Sequence, residues 1–187
     1  MALMRTVSDV TIIDIVWEGP LSLAEVEKNR HGNADYGIYQ IYGNHNSGAD
    51  QLLYIGRAEK NKFGVRVPWI HEWADWEPKS VEIYLGRLGS LHPIPPTLLA
   101  QEEWGEWICR AEGMLIYFTS PPFNSSGIRN LPQLPDDSII VLNFNRRHRL
   151  PAVVSNLYEK SPVGDIMHEW KVLAEPDKLQ HLLVPAR

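Results

Sequence analysis

Two runs decide how this chain is read: Tyr36-Gly37-Ile38-Tyr39-Gln40-Ile41-Tyr42 and Gln51-Leu52-Leu53-Tyr54-Ile55-Gly56, separated by Gly43-Asn44-His45-Asn46-Ser47-Gly48-Ala49-Asp50. The runs are apolar and rich in aromatic residues, and the interval is polar and turn-forming, so the two are expected to pair as a β-hairpin. Val81-Glu82-Ile83-Tyr84-Leu85-Gly86 alternates with period two and supplies a third strand. Pro68 suits the first turn of a helix through Trp76, which Pro78 limits, with Trp69, Trp73 and Trp76 on one face. A longer helix is expected from Thr97 to about Phe118: Trp104, Trp107, Ile108, Ala111, Leu115 and Phe118 keep the helical period, and Pro121-Pro122 ends it. The expected fold class is α+β, a small and mainly antiparallel sheet of hairpin plus third strand, flanked by helices and extended by N- and C-terminal elaborations.

Outward from this centre, Val10 to Trp17 reads as a strand closed by a turn at Glu18-Gly19-Pro20. A short helix should follow, capped by Ser22 with Glu25 three residues on, and stopped by Gly32. Ser138 to Phe144 reads as a further strand, and Ala152–Tyr158 and Met167–Leu173 as short helices. With no repeat and no long linker, residues 1–187 are expected to form a single domain. Its core is 36–124, and 1–35 and 125–187 are elaborations without an assigned role.

The composition bounds the function. The chain has 187 residues, 44% of them hydrophobic, and holds 7 Trp, 7 Tyr and 4 Phe, which suits one domain with a sizeable core and excludes collagen-like and disordered classes. Cys109 is the sole cysteine, so neither an internal disulfide nor a cysteine-based zinc site can form, and a reducing compartment is the natural setting. The stretch Met1-Ala2-Leu3-Met4-Arg5 lacks the apolar core of a signal peptide, and no membrane segment stands out, so a cytoplasmic protein is expected. A net charge of −5 does not advertise nucleic-acid binding by the whole surface. Two local runs are basic: Arg57, Lys60, Lys62 and Arg66 against Glu59, and Arg146-Arg147-His148-Arg149. Taken alone, each reads as a solvated loop.

Several common chemistries drop out. His71-Glu72 and His168-Glu169 start like a zincin helix, but Asp75 and Val172 stand where the second histidine belongs. No phosphate loop and no Gly-x-Ser-x-Gly elbow occurs, and Cys109 is expected in the core face of its helix. Glu112 is the unusual residue. Ile108 lies one turn before it and Leu115 and Ile116 one turn after, so its carboxylate borders the apolar stripe. It either snorkels to solvent or needs a partner: an arginine, a hydrogen-bond network or a divalent cation.

Gly37-Ile38-Tyr39 and Tyr54-Ile55-Gly56 resemble the two name-giving motifs of the GIY-YIG nuclease superfamily, and the likeness extends further. Arg66 is similar to the arginine on the helix after the second motif. Glu112-Gly113-Met114-Leu115-Ile116, followed by Pro121-Pro122-Phe123-Asn124, resembles the family's Glu-x-x-Leu-Ile and closing Pro-x-[Tyr/Phe]-Asn. The resemblance covers about Tyr36 to Asn124 and implies a metal-dependent phosphodiesterase. On it, Glu112 holds one divalent ion, Mg²⁺ or Mn²⁺, and Arg66 braces the scissile phosphate. Tyr39 activates water, which requires its phenol to be lowered by nearby positive charge; Tyr54 shares the proton network, and Asn124 fixes the local backbone or the site's hydrogen bonds. His71 is a candidate for proton transfer, set against a plain surface histidine, and Arg57, Lys60 and Lys62 are candidate nucleic-acid contacts. Read in isolation, both tyrosines are core aromatics, as are the tryptophans, for which base stacking is the alternative.

The function implied is a DNA endonuclease, restriction-like or mobile-element-like, with DNA as partner, RNA left open and no membrane. The alternative is a nucleic-acid-binding or interaction module that keeps the scaffold and cuts poorly. The resemblance demands that Tyr39, Tyr54, Arg66 and Glu112 converge on one concave surface. Arg66 and Glu112 should flank a gap there for a phosphate and a hydrated cation, without closing into an ion pair.

Overall fold

The computed structural model describes residues 5–7, 10–28, 36–46, 48–69, 81–89, 98–124 and 138–157. Its elements are β1 (Arg5–Val7), β2 (Val10–Leu21), α1 (Leu23–Lys28), β3 (Gly37–His45), β4 (Gly48–Ala58), α2 (Phe63–Trp69), β5 (Glu82–Leu88), α3 (Leu98–Thr119), β6 (Ser138–Asn145) and β7 (Val153–Ser155). They build one seven-stranded sheet in the order β4-β3-β5-β2-β6-β7, with β1 on β2.

This corrects the expected small, mainly antiparallel sheet: the architecture is mixed α/β, and β2 and β6 run parallel from Val10↔Ser138 to Trp17↔Asn145. The reason lies in β5. Its one edge pairs β3, from Ile38↔Gly86 to Tyr42↔Glu82, and its other edge takes β2, from Ile15↔Leu88 to Leu21↔Ile83. An unpaired edge there would strand backbone groups beside a buried core. The N-terminal strand therefore stands in the middle of the sheet.

The hairpin forms as expected. Its strands reach further into the interval than the runs suggested, to His45 and from Gly48, with two irregularities of register. β2 likewise runs past the expected turn, since Gly19 and Pro20 lie within it at a register shift between Glu18 and Leu21. The capping box of α1 is present: Glu25 Oε2 accepts from the Ser22 amide at 2.7 Å, and the Glu25 amide donates to Ser22 Oγ at 3.3 Å. Gly32 lies outside the described residues. Ala152 to Tyr158 was expected as a helix, but Val153–Ser155 is a strand on β6, where β-branched residues fit a pleated edge. The Met167–Leu173 helix lies outside the described residues.

The helix expected from Pro68 begins earlier, at Phe63, and Pro68 is its penultimate residue. There it costs one bond, since Pro68 has no N–H to donate to the carbonyl four residues back, at Gly64. Trp73, Trp76 and His71 lie outside the described residues.

Two apolar layers enclose β3, whose residues Gly37 to Gly43 are all buried. On one face, Ile108, Ala111, Met114 and Leu115 of α3 pack on Ile38, Ile55, Ile15 and Trp17, with Trp104 and Trp107 partly buried against them. On the other, Val26 of α1 and Phe63 and Val67 of α2 pack on Tyr39, Ile41, Ile83 and Leu85. Phe118, assigned to the buried stripe by its period, is exposed, while Leu115 and Ile116 before it stay buried. Among the described residues no helix is long and apolar enough to cross a membrane.

Candidate functional site

Strand β4 stands at one end of the strand order, and the site forms around it. The register Tyr39↔Gly56 and Ile41↔Tyr54 puts both tyrosines on the face covered by α2, diagonally across the strand pair, with ring centroids 6.0 Å apart. The two hydroxyls share a hydrogen bond. Gly56 leaves room for this arrangement. A Cβ there would stand 2.5 Å from the Tyr39 hydroxyl and 2.5 Å from Tyr54 Cε1.

Tyr39 is fully buried, and burial pushes its phenol well above the ordinary range; Arg66 pulls the other way without prevailing. This corrects the expectation of a phenol lowered by positive charge. Tyr54 is half-buried and also raised, again chiefly by burial, then by the Glu112 carboxylate.

Glu112 projects from α3 with its side chain 15% exposed. Burial pushes its carboxyl up to about 7, against the attraction of Arg57 and, more weakly, Arg66. The partner that its position in the stripe called for is Arg57, whose Nη1 donates to Oε2 at 2.9 Å. The same guanidinium reaches Cys109 Sγ at 2.8 Å and Glu59 Oε2 at 3.4 Å from Nε. Arg57 was expected on nucleic acid; here it neutralises carboxylates at the centre of the site. Cys109, expected in the core, is exposed beside it. It lies one turn before Glu112, beside the stripe that Ile108, Ala111 and Leu115 bury.

Arg66, in the last turn of α2, donates from Nε to the Arg57 carbonyl at 3.2 Å. Its charge acts on Tyr39, Tyr54 and Glu112 alike. Tyr39, Tyr54, Arg66 and Glu112 are thus brought together, with Arg57 added. Lys60 is exposed and Lys62 half-buried on the loop between β4 and α2. His71 lies outside the described residues.

Asn124 has a backbone role. Its Oδ1 accepts from the Ile55 amide at 2.8 Å and its Nδ2 donates to the Ile55 carbonyl at 2.6 Å, while the Phe123 amide donates to the Leu53 carbonyl at 3.1 Å. The turn after α3 thereby closes the open edge of β4 behind the second motif.

Glu112 suits a hard divalent ion in one respect: it is a half-enclosed carboxylate with Oε2 taken by Arg57 and Oε1 held by no described group. Mg²⁺ commonly takes one or two carboxylates and completes its shell with water and phosphate oxygens, which matches a single-carboxylate site. A separate group joins Asp50, Glu82 and His148, with one ligand atom of each within 4.8 Å of the others. Its members are already engaged. Asp50 Oδ1 meets His148 Nε2 at 2.8 Å, Asp50 Oδ2 meets Arg149 at 2.9 Å, and the Tyr84 hydroxyl donates to Glu82 at 3.0 Å. His148 also stacks on Tyr84, so this cluster reads as a network fastening the loop after β6 to the hairpin, and it does not indicate Mg²⁺. Sequence reading missed it because its residues are scattered over three elements. Comparison with known proteins finds no family model, no curated protein and no solved structure that matches the chain.

Proposed function

We propose that the chain is a GIY-YIG-type endonuclease that hydrolyses phosphodiester bonds of DNA with the help of a divalent metal ion. The observation that carries this reading is the meeting of Tyr39, Tyr54, Arg66 and Glu112, from β3, β4, α2 and α3, within electrostatic reach of one another at one sheet edge. Local periodicity gives no reason for it. Glu112 would hold Mg²⁺ or Mn²⁺, which when bound supplies positive charge for the phosphoryl and leaving oxygens. Arg66 keeps its terminal nitrogens for a phosphate while its Nε anchors the side chain to the Arg57 carbonyl. Tyr54 is the tyrosine that reaches solvent, so its hydroxyl orients the attacking water, whose proton passes to bulk solvent, and Tyr39 behind it holds that hydroxyl in place. A single cysteine accords with action in the cytoplasm.

The closed Arg57–Glu112 pair favours a second reading, a nucleic-acid-binding module that cuts poorly. Incubating supercoiled plasmid with the protein and Mg²⁺ or Mn²⁺ separates the two. The nuclease reading expects nicked or linear product that EDTA and Glu112→Gln both abolish, with the variant still folded. Retarded but uncut plasmid supports the binding module, and neither binding nor cutting overturns both.

A further inference from the structure

We propose that Arg57 is a latch on Glu112, which keeps the divalent ion out of the site until a phosphate-like anion draws the guanidinium away. The inference rests on the nuclease reading and adds an order of events to it: anion first, metal second.

The geometry carries it. Arg57 Nη1 stands 2.9 Å from Glu112 Oε2, and the pair is closed directly. A divalent ion on the same carboxylate would lie a few ångströms from that guanidinium, and two like charges so near repel strongly at the edge of a protein interior. Metal and latched arginine therefore compete for Glu112.

The arginine also has a way out. Its side chain is 35% exposed against 15% for Glu112, and its Nε already leans on Glu59, at 3.4 Å and nearer solvent. A planar fork of donors suits non-bridging phosphate oxygens at least as well as a carboxylate. The strand leaves the backbone in place when the side chain swings, because the Arg57 carbonyl is held by Arg66 Nε and its position on β4 is paired to Ile38. The latch thus releases without disturbing the residues that would brace the phosphate. Coupling of this kind is reciprocal, so whatever the anion does for the metal, the metal does for the anion.

The test is Mn²⁺ binding followed by the electron paramagnetic resonance of the free ion, a readout independent of cleavage. Arg57→Gln should bind Mn²⁺ about tenfold more tightly than the wild type, and Glu112→Gln should remove that binding in either background. The wild type provides a measurement that needs no substitution at position 57. Replacing chloride with sulfate at matched ionic strength offers the guanidinium a phosphate-like dianion and should raise Mn²⁺ affinity several-fold. Glu112-dependent binding of equal strength in wild type and Arg57→Gln, or no response of the wild type to sulfate, overturns the latch and leaves the nuclease reading standing. Absence of Glu112-dependent Mn²⁺ binding in every case overturns both.

Discussion

Gly56 shows how tightly a single residue is tied to the site. The Tyr39 and Tyr54 rings close over its Cα from the paired strand and from its own strand, and a methyl group would meet both at 2.5 Å. Neither ring can retreat freely, since Tyr39 is fully buried against Phe63 at a centroid distance of 6.4 Å. Gly56→Ala should therefore cost ~1–3 kcal/mol by overpacking, read as a lower urea midpoint, and a variant as stable as the wild type would show that the rings are not fixed there. Gly37 answers to a different constraint: at φ +154°, its missing Cβ would lie 2.1 Å from the Gly86 carbonyl of β5. Both glycines are visible in the sequence as motif letters, but the reason for each is a neighbour that only the sheet brings. Glu112 gives a prediction with a sign. Its native carboxyl is raised to about 7 from an ordinary 4.5, so between those values the native state holds more proton than the unfolded chain. Stability conferred by that proton is complete below pH 4.5 and is lost as pH rises through about 7, a loss of up to about 3 kcal/mol. Glu112→Gln, always uncharged, should flatten this decline. Urea midpoints of the two proteins from pH 4.5 to 8 without divalent ions check it, and parallel curves would mean the carboxylate is not desolvated.

At the scale of elements, the edge strand β4 has to be protected, and the turn after α3 does it. Asn124 satisfies both backbone groups of Ile55, so Asn124→Ala leaves a buried N–H and a buried C=O unpaired, with the Phe123 amide on the Leu53 carbonyl left to hold the turn to the strand. The expected cost is ~2–4 kcal/mol, with faster hydrogen exchange at the Ile55 amide. Unchanged exchange there would assign the edge to some other cover. The hairpin, β5, α3 and the Ser22 capping box were legible because each rests on period or on residues three or four apart. The parallel pairing of β2 with β6 was not. Nothing in either strand names a partner more than a hundred residues away, and Val10 to Trp17 reads the same at an edge as in the middle of a sheet. Val153 to Ser155 became a strand because β6 offered it a free edge, a tertiary fact that outranks local propensity. In the site, residue types were legible and pairings were not. Glu112 announced its need for a partner by its place on the stripe, but that Arg57, and not Arg66, answers it depends on which face of β4 each arginine meets.

Over the whole molecule, the nuclease reading must reconcile a net charge of −5 with the polyanion it proposes as partner. The bulk of the surface repels it, so attraction must come from charges that the fold leaves unneutralised near the site. The basic run after the second motif is depleted by folding: Arg57 is committed to Glu112 and Glu59, and Arg66 is tethered through Nε to the Arg57 carbonyl. Lys60 and Lys62 carry no ion pair with any described residue, and the loop that holds them joins the edge strand to α2 beside Arg66. They are the charges free to release counterions from a backbone approaching the site. Each phosphate contact contributes about 0.9 to the slope of log affinity against log salt. Lys60→Gln with Lys62→Gln should therefore weaken binding to unrelated duplexes alike and reduce that slope by about 2. Fluorescence anisotropy with two duplexes of different sequence over a range of KCl concentrations measures both quantities. A lost slope confined to one duplex would make the lysines readers of sequence, and an unchanged slope in both would return the run to a solvated loop and move the approach of the nucleic acid to another face.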